Sequence, residues 1–201
     1  MKKNTVLTRD TISKGNNTTS DDVRKQEYNV IVLPTQIQTG DYVDIRLSMP
    51  NGQDYIVVSK KSVELPVIDG VDSESTIWLN LSEDEILSMS SAIVDAAKIQ
   101  GTKLYATTYT EPGMQDAATP TYVPSANVQN LMNQNPNILQ EAKNALFTRY
   151  NSTSSIRTNN INGELSQYQE EAQGNISNGV SSEVTSAQEQ RKSYLDALAG
   201  N

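Results

Sequence analysis

The chain contains no cysteine and no histidine. Nucleophile systems of the Cys–His and Ser–His–Asp kind are therefore excluded, as are the usual Cys/His zinc sites. Disulfides are excluded too, so redox compartment cannot be read from a cysteine framework. Basic residues are outnumbered, 16 Lys and Arg against 24 Asp and Glu, giving a net charge of -8 and a pI near 4.6. Such a balance repels phosphate backbones and anionic membranes, and no nucleic-acid role is expected. No run of about 18 apolar residues occurs, so no spanning helix is predicted. Only 36% of residues are apolar and the mean hydropathy is -0.54. A small core is expected, with part of the 201 residues outside it as tail or interaction segment.

What is present is first a β pattern. Within residues 29–46 (NVIVLPTQIQTGDYVDIR), Val30 and Val32, then Val43 and Ile45, recur at every second position, and Leu47 continues the series. Period two is the mark of half-buried strands. Gly40 supplies the positive φ of a turn, and Asp41 is placed to bond nearby backbone amides. Strands are predicted at 29–33, 42–47, 55–58, 76–81 and 103–110, with a strand-like pair at 62–68 closed by Asp69 and Gly70. Pro50, Asn51 and Gly52 form a hairpin-type turn in which Asn51 and Gly52 both adopt positive φ.

A helix follows. Ser82 is its N-cap and Glu85 completes a capping box, with Glu83 and Asp84 suited to the positive helix end. Ile86, Met89, Ile93, Ala96 and Ala97 share one face, and Gly101 stops it. Residues 1–110 thus read as one β-rich α+β domain. Pro112, Pro120 and Pro124 mark residues 111–125 as an extended linker. Residues 126–201 read as a polar, partly helical arm, beginning with two short helices broken by Pro136, the second capped by Asn137. Beyond residue 151, Leu165, Tyr168, Ala172, Ile176, Val180 and Val184 recur at steps of three and four, a thin apolar stripe for oligomerisation. Gly174 and Gly179 each weaken such a helix by about 1 kcal/mol relative to Ala. Removal of 151–201 is expected to leave the first domain folded and abolish self-association.

Candidate chemistry is sparse. Asp41 and Asp44 are three apart along a strand and face opposite ways, which is wrong for an acid/base pair; turn and surface roles are expected. Ser59, Lys60, Lys61 and Ser62 resemble a Ser/Lys dyad only in composition, and a solvated, lysine-guarded strand edge is preferred. Residues 158–169 imitate a calcium loop but carry Thr158 and Gln169 where Asp and Glu are required. The acids Glu83–Glu85 need no metal beyond the helix dipole. Trp78 stands on the face of its strand opposite Leu79 and Leu81, as a contact or packing residue. Neither a catalytic residue, a cofactor nor a metal is expected.

Residues 4–109 resemble the SAF-domain region of the CpaB/RcpC-type Flp (Tad) pilus assembly proteins of clostridia-like bacteria. The likeness rests on residues 4–10 (NTVLTRD), on Gly40, Asp41, Val43, Asp44 and Ile45 within GDYVDI, and on residues 76–81 (TIWLNL) leading into the helix with Ser82 and Glu85. It implies a β-clip fold in the SAF core and a non-enzymatic role in assembling a type IV-like pilus or secretion channel, by docking to envelope proteins. Relatives carry a membrane anchor and a first SAF strand ahead of the residues matched here, so an N-terminally truncated unit is expected. An extracytoplasmic envelope location follows from the resemblance, and a cytoplasmic one if the chain is complete. The alternative is a carbohydrate-binding module for cell-wall glycan; a SAF-type lyase or hydrolase fragment lacks an acid/base pair.

Overall fold

A computed structural model describes residues 20–68, 70–73, 75–167 and 189. The fold is α+β. Strands β1 (Arg24–Tyr28), β2 (Ile31–Val32), β3 (Tyr42–Ser48), β4 (Asp54–Glu64), β7 (Ile77–Leu81) and β8 (Lys103–Thr108) form one sheet in the order β1-β7-β4-β3-β8-β2. Only the β2–β8 pair in it is parallel. Between β4 and β7, β5 (Val67–Ile68) and β6 (Val71–Asp72) make a separate small hairpin. The helices are α1 (Glu83–Lys98), α2 (Ala126–Gln134), α3 (Gln140–Ser155) and α4 (Asn162–Gln167). A π-helical turn, Ile156–Ile161, joins α3 to α4.

The period-two pattern acts as expected in β3, where Val43, Ile45 and Leu47 are fully buried. The turn before it depends on Gly40, whose φ is +99°, a value that a side chain resists. Asp41 accepts a hydrogen bond from the Gln38 amide at 2.9 Å and closes that turn. The β3–β4 turn differs from the expectation. Only Gly52 has positive φ, and its amide bonds back to the Met49 carbonyl at 3.1 Å. Pro50 fixes the preceding φ as a type I turn requires, so one left-handed residue suffices.

Strand β4 is longer than expected, and it is not an edge. It lies between β3 and β7, so the lysine-guarded edge proposed for 59–62 is corrected to a bulged interior strand. Three steps along β3, from Val43 to Arg46, face five along β4, from Lys61 to Ile56, so β4 carries two extra residues in a bulge. Lys60 sits in the bulge at φ +49°. Asp44 holds it there, accepting from the Lys60 amide at 2.9 Å. The surface role expected of Asp44 is therefore corrected: it is buried, because the chain after β8 covers it.

Helix α1 begins as its sequence dictates. The Glu85 carboxylate accepts the Ser82 amide at 3.0 Å, and the Ser82 hydroxyl donates to Asp84 at 2.7 Å. Met89 and Ala92 enter the sheet core, flanked by Ile86, Ile93 and Ala96. A second stripe, Ser88, Ser91 and Asp95, is also buried, so α1 is covered on both sides.

The extended linker expected over 111–125 is corrected: residues 111–115 form a turn in which the Met114 and Gln115 amides bond the Glu111 carbonyl at 2.9 Å, and the rest does not behave as a free linker. The Thr121 and Tyr122 amides both bond the Ile56 carbonyl at 2.9 Å, and the Thr121 hydroxyl accepts the Ile56 amide at 2.9 Å. Tyr122 enters the sheet core and Val123 a second cluster with Met132, Ile138, Leu146 and Tyr150. Ile156 packs on both clusters. The second helix starts after Leu139 rather than at Asn137. Ile161 is fully buried in the sheet core, and Leu165 packs against it. The expectation that the first 110 residues stand apart from everything beyond 151 is therefore revised. Of the apolar stripe, Tyr168, Ala172, Ile176, Val180 and Val184 lie outside the described residues, as do residues 4–10. Among the described residues, no helix is long and apolar enough to cross a membrane.

Candidate functional site

The motif residues occupy scaffold positions. Val43 and Ile45 are core, Gly40 and Asp41 form a turn, and Asp44 accepts from both the Lys60 amide and the Tyr109 hydroxyl, the latter at 2.8 Å. The Ala118 amide then donates to the Tyr109 hydroxyl at 3.0 Å, and Lys60 Nζ donates to the Gln115 carbonyl at 2.5 Å. Asp44 is thus a structural acceptor with its partners already assigned. Trp78 lies on the outer face of β7, with its indole N–H on Glu27 at 2.7 Å and Lys25 Nζ 5.4 Å from the ring centroid. Ser82 and Glu85 serve the helix cap, and Glu85 also pairs with Lys61 at 2.5 Å. These residues are spread over turn, sheet and cap and do not converge.

A polar cluster that the sequence reading missed lies between α1 and the helical layer. Arg157 donates to Asp95 through its two terminal guanidinium nitrogens, the Arg157 Nη2–Asp95 Oδ1 contact being 3.1 Å. The Tyr122 hydroxyl bonds Asp95 and also Ser91 Oγ at 2.9 Å. Ser91 Oγ in turn accepts the Ser125 amide at 3.0 Å. The π turn sets this geometry, carrying Arg157 to Asp95, Asn160 to the Tyr55 hydroxyl at 3.0 Å and Ile161 to the core. Such turns are rare and often mark functional sites. The available signal was the spacing of Ser88, Ser91 and Asp95 by three and four, a polar stripe that needs a polar partner.

Burial pulls the Arg157 guanidinium down, but the hydrogen bonds and charge of Asp95 outweigh it and hold Arg157 above its ordinary value. The Tyr122 phenol is pushed well above its ordinary range by burial, reinforced by the negative charge of Asp95. Burial also raises Tyr55, Tyr105 and Tyr150. A folded phenol that keeps its proton longer than an unfolded one contributes stability below the unfolded value, about 10, and loses it as pH rises through the folded value. Stability should therefore fall above about pH 10, by up to about 1.4 kcal/mol per pH unit for the buried Tyr122 phenol and by less for the more exposed ones. Denaturant midpoints from about pH 9 to 12 check this. Tyr122→Phe should be less stable at neutral pH and decline less steeply; an unchanged slope would contradict the assignment.

Above this cluster a cleft of about 330 Å³ opens between the start of α2 and the π turn. Asn127, Ser154, Thr158 and Asn162 contribute polar walls, with Val123, Ala126 and Tyr150 as its apolar part. Elsewhere on the helical layer, large apolar side chains face solvent. Phe147, the chain's single phenylalanine, is 64% exposed on α3, Leu139 at its start is 46% exposed, and Leu131 on α2 is 51% exposed. Among the described residues no group of three or more Asp or Glu could hold a metal ion. No family model, curated protein or solved structure matches the chain.

Proposed function

We propose that the protein is a non-catalytic docking component of a cell-envelope assembly of the Flp/Tad pilus type. In this proposal the sheet unit is a SAF-like, β-clip-related scaffold, and the helical layer presents the contact surface to a pilus or secretion-channel subunit. The observation that carries the docking role is the exposure of Phe147 with Leu139 and Leu131. Large apolar side chains cost solvation when left in water, and aromatic anchors dominate the energy of protein interfaces. The pilus assignment is supported by the GDYVDI and TIWLNL resemblance. Its motif residues lie in a turn, a bulged strand and a helix cap, which are positions that specify a scaffold.

The test is cross-linking of the full chain to pilus-machinery subunits in envelope preparations, with and without Phe147→Ser. Capture of a pilus or channel subunit, weakened by about 2 kcal/mol (some thirtyfold) in the variant with an unchanged melting temperature, is expected. Equal capture by the variant would remove Phe147 from the contact. Retention of cell-wall glycan with no pilus subunit would favour the carbohydrate alternative over assembly.

A further inference from the structure

We propose that the cleft between α2 and the π turn binds a neutral saccharide. It is built from residues 123–162, outside the region that resembles the pilus proteins, and it is lined by residues other than Phe147. The proposal is therefore independent of the docking role.

Four side chains carry it. Asn127 on one wall, and Ser154, Thr158 and Asn162 on the other, are exposed to the cleft, and none has a hydrogen-bond partner among the described residues. Each amide or hydroxyl both donates and accepts, as every hydroxyl of a sugar ring does. Ala126, exposed beside Asn127 at the start of α2, adds apolar surface that suits the C–H face of such a ring. The volume of about 330 Å³ is at the small end of ligand sites.

Charge decides between ligand classes. The one cation in the lining, Arg157, is committed to Asp95 through two bonds, and no carboxylate lines the cleft among the described residues. Phosphate and carboxylate ligands are held most strongly by an uncommitted cation, and hard metal ions by carboxylates, and the lining offers neither. Extended peptides are held by a free strand edge or a long groove, whereas this cleft is small and its walls are mainly helical. A neutral polyol suits the uncharged amides and hydroxyls of the lining.

The experiment is titration of the ¹⁵N-labelled full chain with chitotriose, cellotriose and maltotriose, alongside a neutral Gly-Ser peptide. The expected result is saturable shifts at Asn127, Thr158 and Asn162 with at least one trisaccharide. Affinity should fall about tenfold in the N127A/N162A double variant, as expected for loss of two polar contacts. Both positions are exposed, so the variant's melting temperature should match the parent. Phe147→Ser should bind the sugar normally, which separates this site from the docking face. Absence of saturable shifts with all three sugars, unchanged affinity in N127A/N162A, or binding of the peptide in their place would overturn the proposal.

Discussion

Arg157→Ala should lower the unfolding free energy by about 3–5 kcal/mol, the range for removing one partner of a buried ion pair. Arg157 is 9% exposed and Asp95 2%. Without the guanidinium, the Asp95 carboxylate keeps the Tyr122 hydroxyl but loses both charge-assisted bonds. Unfolding free energies of small proteins are about 5–15 kcal/mol, so this one change removes a large share. The comparison is Lys25, whose pair with Glu64 is exposed on both sides; its alanine variant should cost no more than about 1 kcal/mol. The double change Arg157→Met with Asp95→Leu should recover most of the loss, since well-packed apolar groups replace a buried pair at little cost. Urea unfolding of the four proteins checks the ranking. A loss below about 1 kcal/mol for Arg157→Ala would mean that water reaches the pair.

Much of the sheet was legible because its signals are local. Alternation in β3, the Gly40 turn and the Ser82–Glu85 cap each need only a few neighbouring residues, and each is found where its pattern lies. Strand β1 was missed because Arg24–Tyr28 carries little apolar alternation; its partner β7 supplies the buried face. The bulge in β4 was hidden since Lys60 at positive φ is held by Asp44, sixteen residues earlier. Asp44 and Asp41 were correctly separated by strand geometry, but a residue covered by a later segment looks like a surface residue in its own strand.

The same limit applied more strongly beyond residue 110. Prolines and polar residues make 111–125 look like a linker, although Thr121 and Tyr122 bond β4 and Tyr122 fills the core. The cleft and the Asp95 cluster were illegible for a related reason. Arg157 follows Asp95 by sixty-two positions, and a π turn has no clear sequence signature that would aim it there. The exposure of Phe147 was likewise hidden, because an apolar residue in a helical pattern reads as core until the packing is seen.

The central claim is that the sheet and the helical segment through Gln167 are one fold. Ending the chain after Tyr150 removes Arg157 from Asp95, Asn160 from Tyr55, and Ile161 from the centre of the core. It also removes Glu164, which accepts the Asn51 side chain at 2.9 Å. Loss of a buried Ile side chain alone costs about 2–5 kcal/mol, and loss of the ion pair adds to it. At about 2–4 °C per kcal/mol for a protein of this size, the melting temperature should drop by on the order of 20 °C, or the cooperative transition should vanish. The measurement is thermal unfolding of residues 1–150 beside the full chain, followed by Trp78 fluorescence from β7. A large drop or a lost transition is the predicted result. A melting temperature equal to that of the full chain would show that the sheet folds alone and that the segment after residue 150 is an appendage.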